Sequence, residues 1–222
     1  MKVIVVSANL GGVEQPVQHE SQLLPADVRV TWQQYDDKNF PPRPLSMTSR
    51  MQAKLPKLFA WKLLPGYDVY IWLDASFRMR EDAVGHLLEQ FRESDLTIFA
   101  HPSRTSVATE AQFLAKRLTG RYMRSRYIKD RYAGEWADVQ LADYGADVEF
   151  VDNRLFACGC FAYRPTPVIQ ALMTEWWWHI SLYHINDQLS FPYVLSKSKV
   201  VISVISEDIY KCSFLTYMRG DR

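Results

Sequence analysis

The stretch YDVYIWLDASF, residues 67–77, runs from a hydrophobic strand pattern straight into a carboxylate, Asp74, with Ser76 two positions later. An Asp-x-Asp pair at such a strand end suits a divalent cation bridging a diphosphate, because hard cations take carboxylate oxygens. Here the second position is a hydroxyl, which ligates weakly and supplies no charge. A turn or cap role is the competing reading of Asp74, since aspartate often bonds its own backbone. Arg50, Lys54 and Lys57 are spaced i, i+4, i+7. On one helix they share a face and could hold a diphosphate, although an ordinary solvated face has the same spacing. Asp187 falls at an expected helix start, where the macrodipole favours a carboxylate; it serves either as a cap or as a catalytic base. WWWH, residues 176–179, spreads three indoles over three helix faces. At least one belongs to the core, and one could form a sugar-stacking platform. His19, His86, His101, His179 and His184 lack metal-ligand spacing. There is no glycine-rich phosphate loop and no serine nucleophile elbow.

The elements that must position these residues alternate. KVIVVSA, residues 28–37 and residues 67–74 read as strands running into polar loops. A helix is expected from Thr48 or Ser49 to Pro65-Gly66, kinked or broken at Pro56. Residues 81–94 read as an amphipathic helix and 95–101 as a strand. Residues 153–166 are strand-like, 165–183 form a helix opened by prolines, and 186–197 form a helix capped by Asn186. Residues 199–206 make a late strand. Alternating strands and helices indicate an α/β domain with a mostly parallel sheet. In such sheets ligands bind beyond the carboxyl ends of the strands. Asn9, Asp36, Asp37, Asp74 and His101 all lie at or just past such ends.

Composition bounds the rest. The 222 residues fit one domain, and 48% hydrophobic content supports a sizeable core. A net charge of +1 names no partner. Locally, residues 101–135 hold eight bases against three acids, with Tyr122, Tyr127 and Tyr132 interleaved, and 135–152 hold six acids and no base. This reads as a helical excursion with a basic face, packed near its acidic neighbour. Cys158, Cys160 and Cys212 lack zinc-knuckle spacing and point to buried thiols in a reducing compartment. No apolar run reaches the ~20 residues of a membrane span, and the opening run is too short for a signal peptide. The expectation is a soluble, cytoplasmic protein.

YDVYIWLDAS, HPSRTSVATEA and WWWHISLYHINDQLSFPYVL together resemble the TOD/MUCI glycosyltransferase-like domain family, in patches over residues 48–200. The order of the three motifs is more specific than any one of them. The resemblance implies a single α/β, GT-A-like (Rossmann-like) domain, with residues 1–100 as the nucleotide-sugar-binding half and 101–222 as the acceptor half. It implies a hexosyl- or pentosyltransferase using a nucleotide-diphosphate sugar, a UDP-sugar in the first instance, and a divalent cation such as manganese. Ser7, Asn9 and Asp36 would approach the nucleoside, and Arg50, Lys54 and Lys57 the diphosphate. Asp74, with Ser76, would take the metal position. Arg104 and Glu110 would line the sugar site. Asp187 and Gln188 match the Asp-Gln that opens the helix closing the acceptor side. For inversion, Asp187 is the first candidate base and Glu110 the second; for retention, Asp187 or Gln188 would position the sugar. Trp177 and His184 are the acceptor-binding candidates. No histidine near the C-terminus offers a further metal ligand, so Glu207, Asp208 or Asp221 would have to substitute. A glycan or glycolipid acceptor is the default. The basic segment 116–132 keeps a nucleic acid, such as modified DNA, as an alternative whose binding would weaken steeply with salt. The contrasting class is a non-catalytic nucleotide-sugar-binding or scaffold protein.

Overall fold

The computed structural model describes residues 1–91, 93–119 and 129–218. Its first half comprises β1 (Lys2–Ala8), β2 (Arg29–Tyr35), α1 (Ser49–Leu63), β3 (Val69–Leu73), β4 (Phe77–Met79), α2 (Ala83–Glu89) and β5 (Leu96–Ala100). Then follow α3 (Val107–Thr119), α4 (Ala137–Ala146), β6 (Phe156–Tyr163), α5 (Pro167–Leu182), α6 (Asp187–Ser196), β7 (Ile202–Ile205) and β8 (Leu215–Tyr217). Six strands form one sheet in the order β2-β1-β3-β6-β5-β7. β6 runs antiparallel to β3 and β5, and the other strands are parallel. The expected mostly parallel α/β architecture is what forms, and both sequence halves contribute strands to the one sheet.

The period-2 alternation of strands sorts the core into two layers. Val3, Val5, Ile71, Leu73 and Phe99 face α2 and Phe214. Ile4, Val6, Tyr70, Trp72 and Ile98 face Leu58 of α1, Met173 and Trp176 of α5, and Phe191 of α6. Covered on both faces, β3 reads VYIWL, with every residue buried. A third cluster joins α3, α4 and α6 through Val107, Leu114, Tyr144 and Leu189.

Local signals explain most element starts. Thr48 Oγ1 accepts from Met51 N, Thr166 Oγ1 from Ile169 N, and Asn186 Oδ1 from Gln188 N. Each satisfies an orphan donor of a first helical turn. Pro56 sits inside α1, and the non-helical dihedrals appear one turn later, at Phe59. α2 is shorter than the expected 81–94. Past Gln90 the chain turns, Phe91 is buried, and Arg164 lies over its ring at 4.2 Å. Two features escaped the sequence reading: the β4/β8 pair and α4 within the acidic stretch.

One irregularity matters for function. The β5–β6 register jumps between Ile98↔Phe161 and Phe99↔Ala157. Residues 158–160 therefore bulge away from β5, as bulges commonly do beside sites. Among the described residues no helix is long and apolar enough to cross a membrane. All three cysteines are free and buried.

Candidate active site

A cleft of about 350 Å³ opens beyond the carboxyl ends of β1 and β3. The bulge of β6 forms part of its floor. Gly159 O accepts from Asp74 N at 2.8 Å, continuing the β3 ladder one residue past its end. Cys158 O accepts from Lys57 Nζ at 2.7 Å. A Cβ at Gly159 would stand 2.9 Å from Phe77 Cε2, so the floor is packed to the backbone. On the far side Gly11, at φ +82°, packs against Ser49 at the start of α1, where a Cβ would meet Ser49 Oγ at 2.8 Å.

Asp187 is the electrostatic centre. Its Oδ2 lies 2.7 Å from Lys54 Nζ and 2.5 Å from Lys57 Nζ. Burial alone would raise its carboxyl pKa, but the two ammonium groups outweigh burial and hold it well below the usual range. Lys57 is itself buried, and burial opposes its charge; Asp187 and Asp74 prevail and raise its pKa. Burial prevails at Lys54 and lowers its pKa despite Asp187. The three N–H groups of Lys57 go to Asp187, to Cys158 O and toward Asp74 Oδ1 at 3.5 Å. Lys54 makes one such contact, to Asp187, and keeps donors toward the cleft. Arg50 also lines the cleft while donating to Asp130 O at 3.0 Å. The face expected from Arg50, Lys54 and Lys57 thus survives Pro56.

Behind Asp187 runs a polar chain. Asn186 Nδ2 donates to Glu110 Oε1 at 3.1 Å, and Glu110 pairs tightly with Arg104. Arg104 also lies 3.0 Å from His101 Nε2 at the end of β5. Burial, then Arg104, pushes His101 down to about 4. The chain fixes the start of α6, and with it Asp187.

Asn9, Arg50, Lys54, Lys57, Asp74, Ser76, Asp187 and Gln188 come together in the cleft lining. Other sequence candidates lie elsewhere. Ser7 is buried at the end of β1, and Asp36 caps its own exposed turn by accepting from Lys38 N and Asn39 N. Glu110 and Arg104 form the supporting chain just described. Trp177 packs edge-on against Phe59 at 5.8 Å in the α1–α5 seam. His184 is buried, accepts from Asn186 N through Nδ1, and stacks on Tyr132 at 5.0 Å. Among the described residues its Nε2 has no hydrogen-bond partner, and burial, then Lys54, brings its pKa down to about 4. Asn9 reaches the cleft, but its amide closes its own loop through Glu14 O and Glu14 N. Tyr132, noted in the sequence only as part of the basic segment, lines the cleft, as do Tyr210 and Tyr217, which were not singled out; only contact across the fold reveals them as cleft residues. Of the basic segment 116–132, residues 120–128 lie outside the described residues, as does Asp221.

The donor set bears on a metal. Asp74 and Ser76 both line the cleft, and Asp74 Oδ1 accepts from Trp72 Nε1 at 2.7 Å, so Oδ2 is the oxygen that a cation would use. Among the described residues no group of three His, Cys, Asp or Glu could cage an ion. Asp208 Oδ1 is taken by Tyr210 N. This set fits a hard cation shared with a substrate diphosphate, a mode that needs one or two protein carboxylates.

Solved structures similar to this chain include two described as glycosyl- or xylosyltransferases. Mouse xyloside xylosyltransferase 1, apo form, superposes with a TM-score of 0.51 at 11% identity, covering 92% of this chain and 85% of that one. A glycosyltransferase involved in the glycosylation of the major capsid of PBCV-1 gives a TM-score of 0.48 at 9% identity, with 99% and 94% covered. At such identities the first likeness speaks for the GT-A-like fold alone. No curated protein sequence matches the chain significantly. The sequence profile of the TOD1/MUCI70, glycosyltransferase-like domain matches residues 42–216, from the proline-rich connector to β8. That span holds Lys54, Lys57, Asp74 and Asp187, and the chain belongs to this glycosyltransferase-like family.

Proposed function

We propose that the protein transfers a hexosyl or pentosyl group from a nucleoside-diphosphate sugar, of the UDP-sugar class, to a hydroxyl of a glycan or glycolipid acceptor. Family membership and fold support glycosyl transfer in general. The observation that carries the finer reading is the lysine pair gathered on Asp187 beside Asp74, at the carboxyl ends of parallel strands. In this reaction the acceptor oxygen bonds to the anomeric carbon as the bond from that carbon to the diphosphate oxygen breaks; the hydroxyl proton passes to the departing diphosphate or to water, and negative charge develops on the leaving diphosphate. Preorganised cations there stabilise the transition state more than the ground state. Lys54 would contact the phosphates, while Asp187, itself held by Lys57, keeps its ammonium in place. The nucleoside would lie toward Asn9 and the 9–14 loop.

Asp187 is ill suited to be the base, because a carboxylate held by two ammonium groups has little proton affinity. Glu110 is committed to Arg104 and Asn186. We therefore assign Asp187 an organising role. Gln188 faces the cleft, and its carboxamide would hydrogen-bond the transferred sugar. Manganese, held by Asp74 Oδ2 and Ser76 Oγ, would when bound offset diphosphate charge.

The test is nucleoside-diphosphate release from UDP-, GDP- and TDP-linked hexoses and pentoses with manganese. At least one donor should turn over. Lys54→Ala should raise the donor KM roughly tenfold or more, the worth of a charge-assisted contact, and Asp74→Asn should remove the manganese stimulation. Binding of donors without any turnover would overturn the enzymatic reading in favour of a non-catalytic nucleotide-sugar-binding protein.

A further inference from the structure

The cleft has a second wall of different chemistry. Phe77, Tyr210 and Tyr217 all line it, on the side of Asp74 built by β4, β8 and the turn after β7. Phe77 is buried and serves as the base of the group. Tyr210 stacks on it with ring centroids 5.9 Å apart, and Tyr217 lies 5.2 Å from it. The two tyrosine rings stand 5.0 Å apart at 79°, forming a corner. This corner is built rather than incidental. Asp208 Oδ1 accepts from Tyr210 N at 2.9 Å and sets the turn that presents Tyr210. Tyr217 is opposed to Phe77 in the β4/β8 ladder. Tyr210 is nonetheless 46% exposed and lines the cleft. Each tyrosine carries a phenol hydroxyl that can donate or accept.

We propose that the corner of Tyr210 and Tyr217 is the seat of the acceptor, and that the acceptor there is a carbohydrate ring; this rests on the glycosyl-transfer reading of the same cleft. A sugar ring presents weakly positive C–H groups on its flat face, which meet the negative face of an aromatic ring. Its rim hydroxyls then reach the phenol groups and Asp74. Tyr210, Tyr217, Asp74 and Lys54 line the one cleft, so an acceptor hydroxyl seated on the corner would lie near a donor held by Lys54. A nucleobase could also stack on such rings. Asp74 carries charge beside both rings and Arg131 lines the cleft as well, so the choice of an uncharged ring rests on the glycosyl-transfer reading of this cleft. The indole expected to play this part, Trp177, is held in the α1–α5 seam.

Saturation-transfer NMR of the full chain with methyl glucoside, galactoside, mannoside and xyloside, and with oligosaccharides of each, tests the assignment. At least one should show transfer to its ring C–H protons. Tyr210→Ala and Tyr217→Leu should each weaken that saccharide about threefold to tenfold, the worth of one aromatic contact, while Tyr210→Phe keeps the stacking and loses less. Circular dichroism separates this effect from unfolding, and the exposed Tyr210 is the safer variant. The proposal is overturned if no saccharide shows transfer, if binding is undiminished in folded Tyr210→Ala, or if a single-stranded oligonucleotide binds at these tyrosines instead. Calorimetry with UDP on the same samples reports on the donor half separately. Saccharide binding without nucleotide binding would sink the donor reading and leave the corner standing.

Discussion

Asp187 is held by opposing forces, and several expectations follow from its balance. It is buried and ionised between two ammonium groups, an arrangement costly to break from one side. Lys57→Met removes its closer partner and also leaves Cys158 O without its donor. The expected loss is on the order of 3 kcal/mol of unfolding free energy, measured by urea denaturation. The pH dependence has two parts. The folded Asp187 carboxyl titrates below its unfolded value of about 4, so its contribution is present above that pH and is lost as pH falls further. His184 is kept neutral by burial, with its pKa down to about 4 against 6.5 for a free histidine. The unfolded chain therefore binds the extra proton between pH 6.5 and 4, and stability declines on acidification through that window. His184→Asn, whose side-chain oxygen can take over the bond from Asn186 N, should lessen this decline in urea melts across pH 4 to 7, leaving the share that His101 contributes in the same window. An unchanged slope would remove the assignment.

At the scale of elements, the cleft floor depends on a bulge and a glycine. A Cβ at Gly159 would come 2.9 Å from the Phe77 ring and 3.5 Å from Asp74 Oδ2. Gly159→Ala should cost about 1–3 kcal/mol, the usual result of overpacking. It should also lower activity more than its loss of stability explains, because Phe77 and Asp74 are the groups pushed. Thermal melting alongside nucleoside-diphosphate release checks both. The main elements were legible because their signals are local. Strands 2–8 and 69–73 carry continuous apolar runs, while the helices from 49, 167 and 187 carry their own caps at Thr48, Thr166 and Asn186. β4 and β8 have three residues each, too few for a period, and they exist through pairing across more than 130 positions of chain. α4 opens on Trp136 without a side-chain cap, and its acids mask the buried Gln140 and Tyr144.

At the scale of the molecule, the cleft is a junction of both sequence halves. α1 brings Lys54 and Lys57 to Asp187 of α6, 133 positions from Lys54. A ligand held by both should therefore stabilise the fold as a unit. UDP at a hundred times its Kd should add about 2.7 kcal/mol to unfolding, seen as a rise in Tm within a single transition. A rise confined to one of two separate transitions would show that the halves melt independently. By itself the sequence determined the α/β alternation, the caps, the face shared by Arg50, Lys54 and Lys57, and the placing of Asp74 past a strand end. These are set by neighbours within a turn or a strand. Only the tertiary structure decided that Lys57 is an internal strut while Lys54 faces the cleft, that Trp177 packs in a seam, and that Tyr210 and Tyr217 meet over Phe77. Charge partners and ring contacts are chosen by groups far away along the chain, and spacing within a single element carries no record of them.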